Sequence, residues 1–427
     1  MTLYLKDATY IDWKTLAFRS THLAVFQGDG GGIASLDSLP LESELSADDR
    51  VYDCGHRLVT KSFACGHHHI YSALARGMPP PAKTPGDFPE ILEFIWWHLD
   101  KSLDTEMIEA SALVSALYCA KNGVTFVIDH HASPFAVENS LETIAKAFDR
   151  VGISHLLCYE MSDRDGEDPR EKGLRETDHF LNSGRQGHVG LHASFTVGDD
   201  LLGRAVDLAK RYDTGIHVHV AEDPVDQASC SRDHHKRVVE RYAEAGVLDL
   251  PKSIFSHCLH LDEREKDLIR QSGVYVVQNT ESNLNNNVGV TNYHELGGNI
   301  MLGTDGLHSD MLRSAKASFL LARGVEGIDM AGIYTRFRKV HDYIRENGFN
   351  GDGENNLVIL DYDSPTPIHG ENFLGHFVYG IDACHVDSVI SAGNLIVENR
   401  KLKTVEEDEI LSFSREMASK LWQKMKQ

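Results

Sequence analysis

Positive charge is scarce in this sequence: 42 Lys and Arg stand against 64 Asp and Glu, a formal net charge of −22. A surface that binds nucleic acid neutralises phosphates with clustered Lys and Arg, so a polyanion partner is disfavoured. A small heterocyclic substrate is not. Long apolar runs are also missing: none reaches the roughly 20 residues of a membrane-spanning helix, so no membrane partner is expected. The amino terminus, MTLYLKDATY, lacks a basic stretch followed by an apolar one, which points away from secretion and to the cytoplasm. The 7 cysteines are odd in number, scattered and never spaced as CxxC, which fits reduced thiols. PCxxC is absent, which removes a cytidine-deaminase type of zinc site. No GxGxxG lies between a strand and a helix, which removes a nicotinamide or flavin oxidoreductase. The one glycine-rich run, GDGGG at 28–32, leads through Ile33 to Pro40 and reads as a hairpin or loop rather than a phosphate cradle. What is abundant is histidine, 24 residues against 17 Phe and 14 Tyr. Histidine is the commonest metal ligand and the usual proton carrier near neutral pH.

The first 58 residues hold short β-like pieces (Leu3–Leu5, Leu23–Phe26, Arg50–Tyr52). From there, apolar strands alternate with amphipathic helices. The strands expected are Leu58–Cys65, Val124–Ile128, Ile153–Tyr159, Val189–His192, Gly215–Val220, Ser253–His257, Val274–Gln278 and Asn299–Gly303. Helix-period segments such as Met107–Lys121, Leu201–Arg211 and Asp262–Gln271 separate them. Repeated βαβ units give a parallel sheet, and eight of them predict an α/β fold of the (β/α)8, TIM-like barrel kind. The first connection contains GMPPPAKTPGDFP (77–89), too rich in proline for a helix. Strands return at Leu357–Asp361, Val386–Ser391 and Leu395–Val397. Neither terminal set can bury its own face, so residues 1–58 and 350–405 are expected to form one composite β-sandwich domain. The barrel domain then spans 59–349, and 406–427 is a terminal helix.

Active sites of such barrels gather at the carboxyl ends of the strands. The histidines fall there. The first strand ends in His67-His68-His69, the fourth in His192, the fifth in His217-Val-His219, the sixth in His257 and the eighth in Gly303-Thr304-Asp305-Gly306. Residues two apart on a strand face one way, so His67 and His69 point inward together. Imidazoles and one carboxylate converging on a point suit a borderline divalent metal such as zinc. Glu222, three residues beyond His219, is placed to carry a proton without binding the metal.

This pattern resembles the amidohydrolase superfamily, in the branch of the purine, pterin and triazine aminohydrolases. Within it the chain is most similar to SsnA-type aminohydrolases of purine catabolism. The stretches that carry the resemblance include FIWWHLDKSLD (94–104), VIDHHASP (127–134), LHASFTV (191–197), HVHVAED (217–223), NTESNLNNNVG (279–289) and GTDGLHSDM (303–311). The resemblance implies one divalent ion, Zn2+ or Fe2+, held by His67, His69, His219 and Asp305. It makes Glu222, His257 and Asp305 catalytic, with hydroxide generated at the metal attacking a ring carbon. Substrate contacts are expected from His192, Trp97, His131, Asn279 and Ser282, while His217, one layer deeper than His219, is read as structural. The activity implied is deamination of a purine- or pterin-like ring by a homodimer or higher homo-oligomer. Ring opening of a cyclic amide or amidine is the alternative chemistry, and a non-catalytic barrel scaffold the alternative class. Two stretches depart from the family pattern. Lys61-Ser62 replace the usual Pro-Gly before the first strand, and 330–356, with its polar GDGEN (351–355), fits poorly. No Lys ends the fourth strand, so a carboxylated lysine bridging two metals is not expected.

Overall fold

The computed structural model describes residues 1–426. Eight parallel strands form the barrel wall: β6 (Phe63–His68), β7 (Val124–His131), β8 (Ser154–Met161), β9 (Val189–Ala193), β10 (Ile216–Val220), β11 (Ile254–His257), β12 (Tyr275–Gln278) and β13 (Ile300–Leu302). They neighbour one another in chain order, and nearly every residue in them is buried. Burial on both faces is why these segments read as continuous apolar runs rather than alternating ones. Along β7, Phe126 and Ile128 point into the barrel lumen with Leu156, Ile254, Val277 and Met301. Val127, of the opposite parity, packs outward.

The barrel closes just beyond the ends of its first and last strands. A parallel bridge joins His68 to Asp305, and the amides of Thr304 and Asp305 both donate to His67 O at 3.1 Å. Two glycines permit this seam. A Cβ on Gly66 would stand 2.9 Å from Leu302 O, and one on Gly303 2.9 Å from His67 O. Closure therefore draws the HxH and GTDG segments together.

Helices cover the outside, several started by an aspartate whose carboxylate accepts an amide of the first turn, as Asp104 does from Met107. The helix Thr105–Lys121 is buried on almost every side, because the terminal helix Glu407–Lys424 lies across its outer face. Among the described residues no helix is long and apolar enough to cross a membrane.

A nine-stranded sheet draws on both ends of the chain: β1 (Thr2–Ile11), β2 (Phe18–Phe26), β3 (Ile33–Leu36), β4 (Arg50–Asp53) and β5 (Leu58–Lys61), then β14 (Leu357–Leu360), β15 (Val386–Ser391), β16 (Asn394–Glu398) and β17 (Lys401–Leu402). The GDGGG run is the β2–β3 hairpin loop. The expected first barrel strand, Leu58–Cys65, is in fact two strands. Its first half, β5, pairs antiparallel with β14, and only Phe63 onward enters the barrel. The break at Ser62 is held by side chains: Arg338 donates to Ser62 O at 2.7 Å, and the Ser62 hydroxyl lies 2.6 Å from that of Thr125.

The two departures from the family pattern meet in space at this break. Lys61 is fully buried, with its Nζ 2.7 Å from Asp352 Oδ1 and 2.6 Å from Gly353 O. His341, on the helix Met330–Glu346, donates from Nδ1 to Asp352 Oδ2 at 2.7 Å. The polar GDGEN stretch thus supplies the countercharge that a lysine at position 61 demands.

Candidate metal centre

His67 leaves β6 fully buried, and His69 follows at the start of a short 3-10 turn. Hydrogen bonds to carbonyl oxygens fix the tautomers of His69 and His219. His69 donates from Nδ1 to His130 O at 2.7 Å, and His219 from Nδ1 to His192 O at 2.8 Å. A carbonyl oxygen only accepts, so both Nε2 atoms are bare lone pairs, and they stand 3.1 Å apart. His67 bonds through Nδ1 to His217 Nε2 at 2.9 Å, and its Nε2 has no hydrogen-bond partner among the described residues. His217 thus sits behind His67 as its orienting partner. Burial, reinforced by neighbouring imidazoles, holds His67 and His219 well below the ordinary histidine range, which keeps them neutral and able to ligate.

Asp305 reaches this group from the seam. Its Oδ1 lies 3.3 Å from His69 Nε2 and 3.7 Å from His67 Nε2, and accepts from the Gly306 amide at 2.8 Å. Its Oδ2 lies 3.7 Å from His257 Nε2, which is 3.5 Å from Glu222 Oε2. His257 is turned by Asn283, whose Oδ1 is 2.7 Å from Nδ1. This leaves Nε2 as the bare nitrogen, again without a partner among the described residues. Three residues here adopt left-handed backbone: Ala221 (φ 46°), His257 (φ 73°) and Asp305 (φ 52°). Such conformations cost of order 1–3 kcal/mol each and persist where the surroundings impose them. At Ala221 the imposition is visible, since Asp226 accepts the amides of Ala221 and Phe195 at 2.9 and 3.0 Å. The turn carrying Glu222 is clamped. Burial raises the Glu222 carboxyl to about 7.

A cleft of about 620 Å3, partly open to solvent, lies over these groups. Of the expected substrate contacts, His192, Trp97 and Ser282 line it, and His131 and Asn279 do not. His131 faces outward from β7 and bonds Ser133 Oγ at 2.9 Å, because the inward parity of that strand runs through Phe126, Ile128 and His130. Asn279 is buried below the floor, its Oδ1 only 2.4 Å from where a Cβ on Gly303 would be. His192 donates from Nδ1 to Thr196 Oγ1 at 2.7 Å, since that hydroxyl itself donates to Ala193 O.

Sequence reasoning missed the opposite wall. Glu160, at the end of β8, and Arg164 both line the cleft. Arg164 donates to Glu160 at 2.9 Å, to Asp165 at 3.0 Å and to Asp100, and its guanidinium stacks 5.2 Å from the Trp97 ring. Phe88, Leu92 and Trp96 complete an apolar side, on a helix broken by a π turn at Leu92–Trp96. Strand parity was the available signal for Glu160. It shares the inward face of Leu156.

The donors fit a divalent ion. The ligand atoms of His67, His69 and Asp305 lie within 4.8 Å of one another, as do those of His67, His219 and His257. Neutral imidazole nitrogens and a carboxylate oxygen, buried and aimed at one another, are what zinc or ferrous iron accepts and what no neutral protein interior leaves unpaired.

Residues 58–335 match the amidohydrolase family. The chain belongs to that family. It is 31% identical over 350 residues to a 5'-deoxyadenosine deaminase of Methanopyrus kandleri, covering 76% of this chain and 78% of that one. It is 26% identical over 416 residues to a 5-methylthioadenosine/S-adenosylhomocysteine deaminase of Thermoanaerobacter pseudethanolicus, covering 91% and 93%. In three dimensions it superposes on a zinc-bound adenosine deaminase of Xanthomonas campestris with a TM-score of 0.84, at 18% identity and 98% of both chains.

Proposed function

We propose that this protein is a metal-dependent aminohydrolase that cleaves an exocyclic C–N bond of a purine- or pterin-like ring and releases ammonia. One observation carries the reading: the bare nitrogens of His69 and His219 and the unpartnered Nε2 of His67 converge with Asp305 beside an acid–base pair, Glu222 and His257. The names of the relatives support a purine, and the apolar side of the cleft, with Trp96 and Trp97, suits a flat ring.

His67, His69, His219 and Asp305 would hold zinc or ferrous iron, which supplies a water acidic enough to act as nucleophile near neutral pH. The protein's own groups move the protons. Asp305 takes one from the attacking water at Oδ2, and His257 Nε2 orients that water by accepting its remaining hydrogen. Glu222, held partly protonated by burial, gives its proton to a ring nitrogen as the carbon is attacked. Asp305 then protonates the departing amine, and Glu222 recovers a proton from the new hydroxyl, so that the products are ammonia and a lactam. His192 and Ser282 present polar contacts to the ring edge. In this reading the enzyme is a cytoplasmic homo-oligomer, as the family resemblance suggests.

The test is a screen of zinc- or iron-loaded protein against purines, their nucleosides, pterins and their dihydro forms, following ammonia and ultraviolet absorbance together. Ammonia release from one of these rings is the expected result. Absorbance loss without ammonia would convert the reading to ring opening, and no turnover on any of them would overturn it.

A further inference from the structure

His130 takes no part in the chemistry above, yet it is wholly buried among the ligands. Its Nε2 lies 3.1 Å from Leu191 O and 3.2 Å from His217 O, so that nitrogen carries the hydrogen. Its Nδ1 is then a bare lone pair in the neutral ring and has no hydrogen-bond partner among the described residues. It is directed at Glu160, 3.2 Å from Oε2. The other Glu160 oxygen is held by Arg164, which is itself held by Asp100 and Asp165, so the carboxylate cannot turn away. Beside this pair stand the bare Nε2 atoms of His69 and His219.

Ligand atoms of His69, His130, Glu160 and His219 all lie within 4.8 Å of one another, on four buried side chains at the floor of the cleft. Three imidazole lone pairs and a carboxylate oxygen crowd a low-dielectric pocket with no donor between them. That arrangement is costly unless a cation is shared among the four. Three nitrogens and one oxygen are a zinc-like donor set, and the Arg164 network gives Glu160 the outer support that metal-binding carboxylates have.

We infer that the barrel has a second position for a divalent cation, ligated by His69, His130, Glu160 and His219. The inference rests on the preceding reading for the bareness of His69 and His219, which both positions share. An imidazole nitrogen has one lone pair, so the two positions exclude each other. One ion has two stations. At the station with His67 and Asp305 it lies beside Glu222 and His257; at the station with His130 and Glu160 it faces the Arg164 wall instead.

The test compares zinc binding by the full chain and its variants, with anomalous diffraction at the zinc edge to place the ion. Asp305→Asn and, independently, His67→Asn cripple the catalytic station. Each is expected to keep one zinc per chain, with affinity lowered less than about tenfold, and an anomalous peak bonded to His130 Nδ1 and Glu160. Adding Glu160→Gln, or His130→Asn in its place, is expected to lower affinity a further hundredfold or more. Circular dichroism confirms that each variant compared is folded. If wild type binds zinc while both Asp305→Asn and His67→Asn lose it, or keep it without a bond to His130 or Glu160, the second station is wrong and the catalytic one stands. If wild type binds no zinc or iron, both fall.

Discussion

Both ends of the barrel bury imidazole against carboxylate, and they do it in opposite ways. At the amino-terminal end Lys61, Asp352 and His341 match donor to acceptor: an ammonium 2.7 Å from one carboxylate oxygen, an imidazole N–H 2.7 Å from the other. At the carboxyl end acceptor meets acceptor, as where His69 and His219 place bare nitrogens 3.1 Å apart. The first cluster is complete as it stands. The second is complete only around a cation. Burial is similar at the two ends, so burial alone does not separate a cluster that stabilises from one that binds; the tautomer accounting does.

The largest effect that separates the ends is expected from Glu222→Gln. It removes the proton carrier and should lower kcat by 10²–10⁴. Thermal stability should hardly change or should rise slightly, because a buried acid with a raised pKa is replaced by a neutral amide. Steady-state kinetics with a melting curve checks both. A chelator should abolish activity, with zinc or iron restoring it. At free metal about 1,000 times Kd the ion should add about 4 kcal/mol of stability. The matched cluster should show the reverse pattern. Lys61→Met leaves Asp352 buried beside His341 alone and should cost about 3–5 kcal/mol by denaturant unfolding. Lys61→Met with Asp352→Asn should regain most of that loss. Both proteins should keep kcat/KM within about twofold below their melting range. A catalytic loss as large as that of Glu222→Gln would break the comparison.

The carboxyl end was legible because its candidate ligands are strand ends with distinctive neighbours: HxH, His219 three before Glu222, His257 and the GTDG turn. Seven of the eight strands were found within three residues. His131 lies off the cleft because adjacent residues on a strand face opposite ways. That parity was available from Phe126 and Ile128, which alternate with His130, and the same rule would have pointed to Glu160 through Leu156. Arg164 lies past the end of its strand, where parity no longer speaks. The amino-terminal end was not legible at all. Lys61 and Asp352 lie 291 positions apart in the chain, and each looked like an isolated departure from the family pattern. Only the fold reveals that they answer each other. The split at Ser62 was hidden for a related reason, since Leu58–Cys65 is apolar throughout and periodicity cannot show which sheet a buried strand joins.

The finest discrimination between the ends is in pH. Glu222 is raised to about 7 by burial, so its acid form, which donates to the ring, is present below that value and lost above it. The kcat/KM profile should therefore fall on its alkaline side with a midpoint at or somewhat below pH 7, the bound cation drawing it downward. Asp305 works as the carboxylate. His69 and His257 hold it below the ordinary aspartate value although burial pushes it up, so the acid limb should lie below about pH 4. Asp352 is likewise held far below the ordinary range, by His341 and Lys61 against the effect of burial. A depressed carboxyl contributes stability that is full above its unfolded value, near 3.9, and lost only as pH falls through the folded one. Between pH 6 and 8, then, activity should change several-fold while Asp352 keeps its full contribution to stability, and His341, lowered by burial, adds to stability as the unfolded imidazole loses its proton. Wild type unfolded in denaturant at pH 6 and 8 should be no less stable at pH 8, beside a kcat/KM that drops between those values. A pH-independent kcat/KM over that range would remove Glu222 from the role of proton donor.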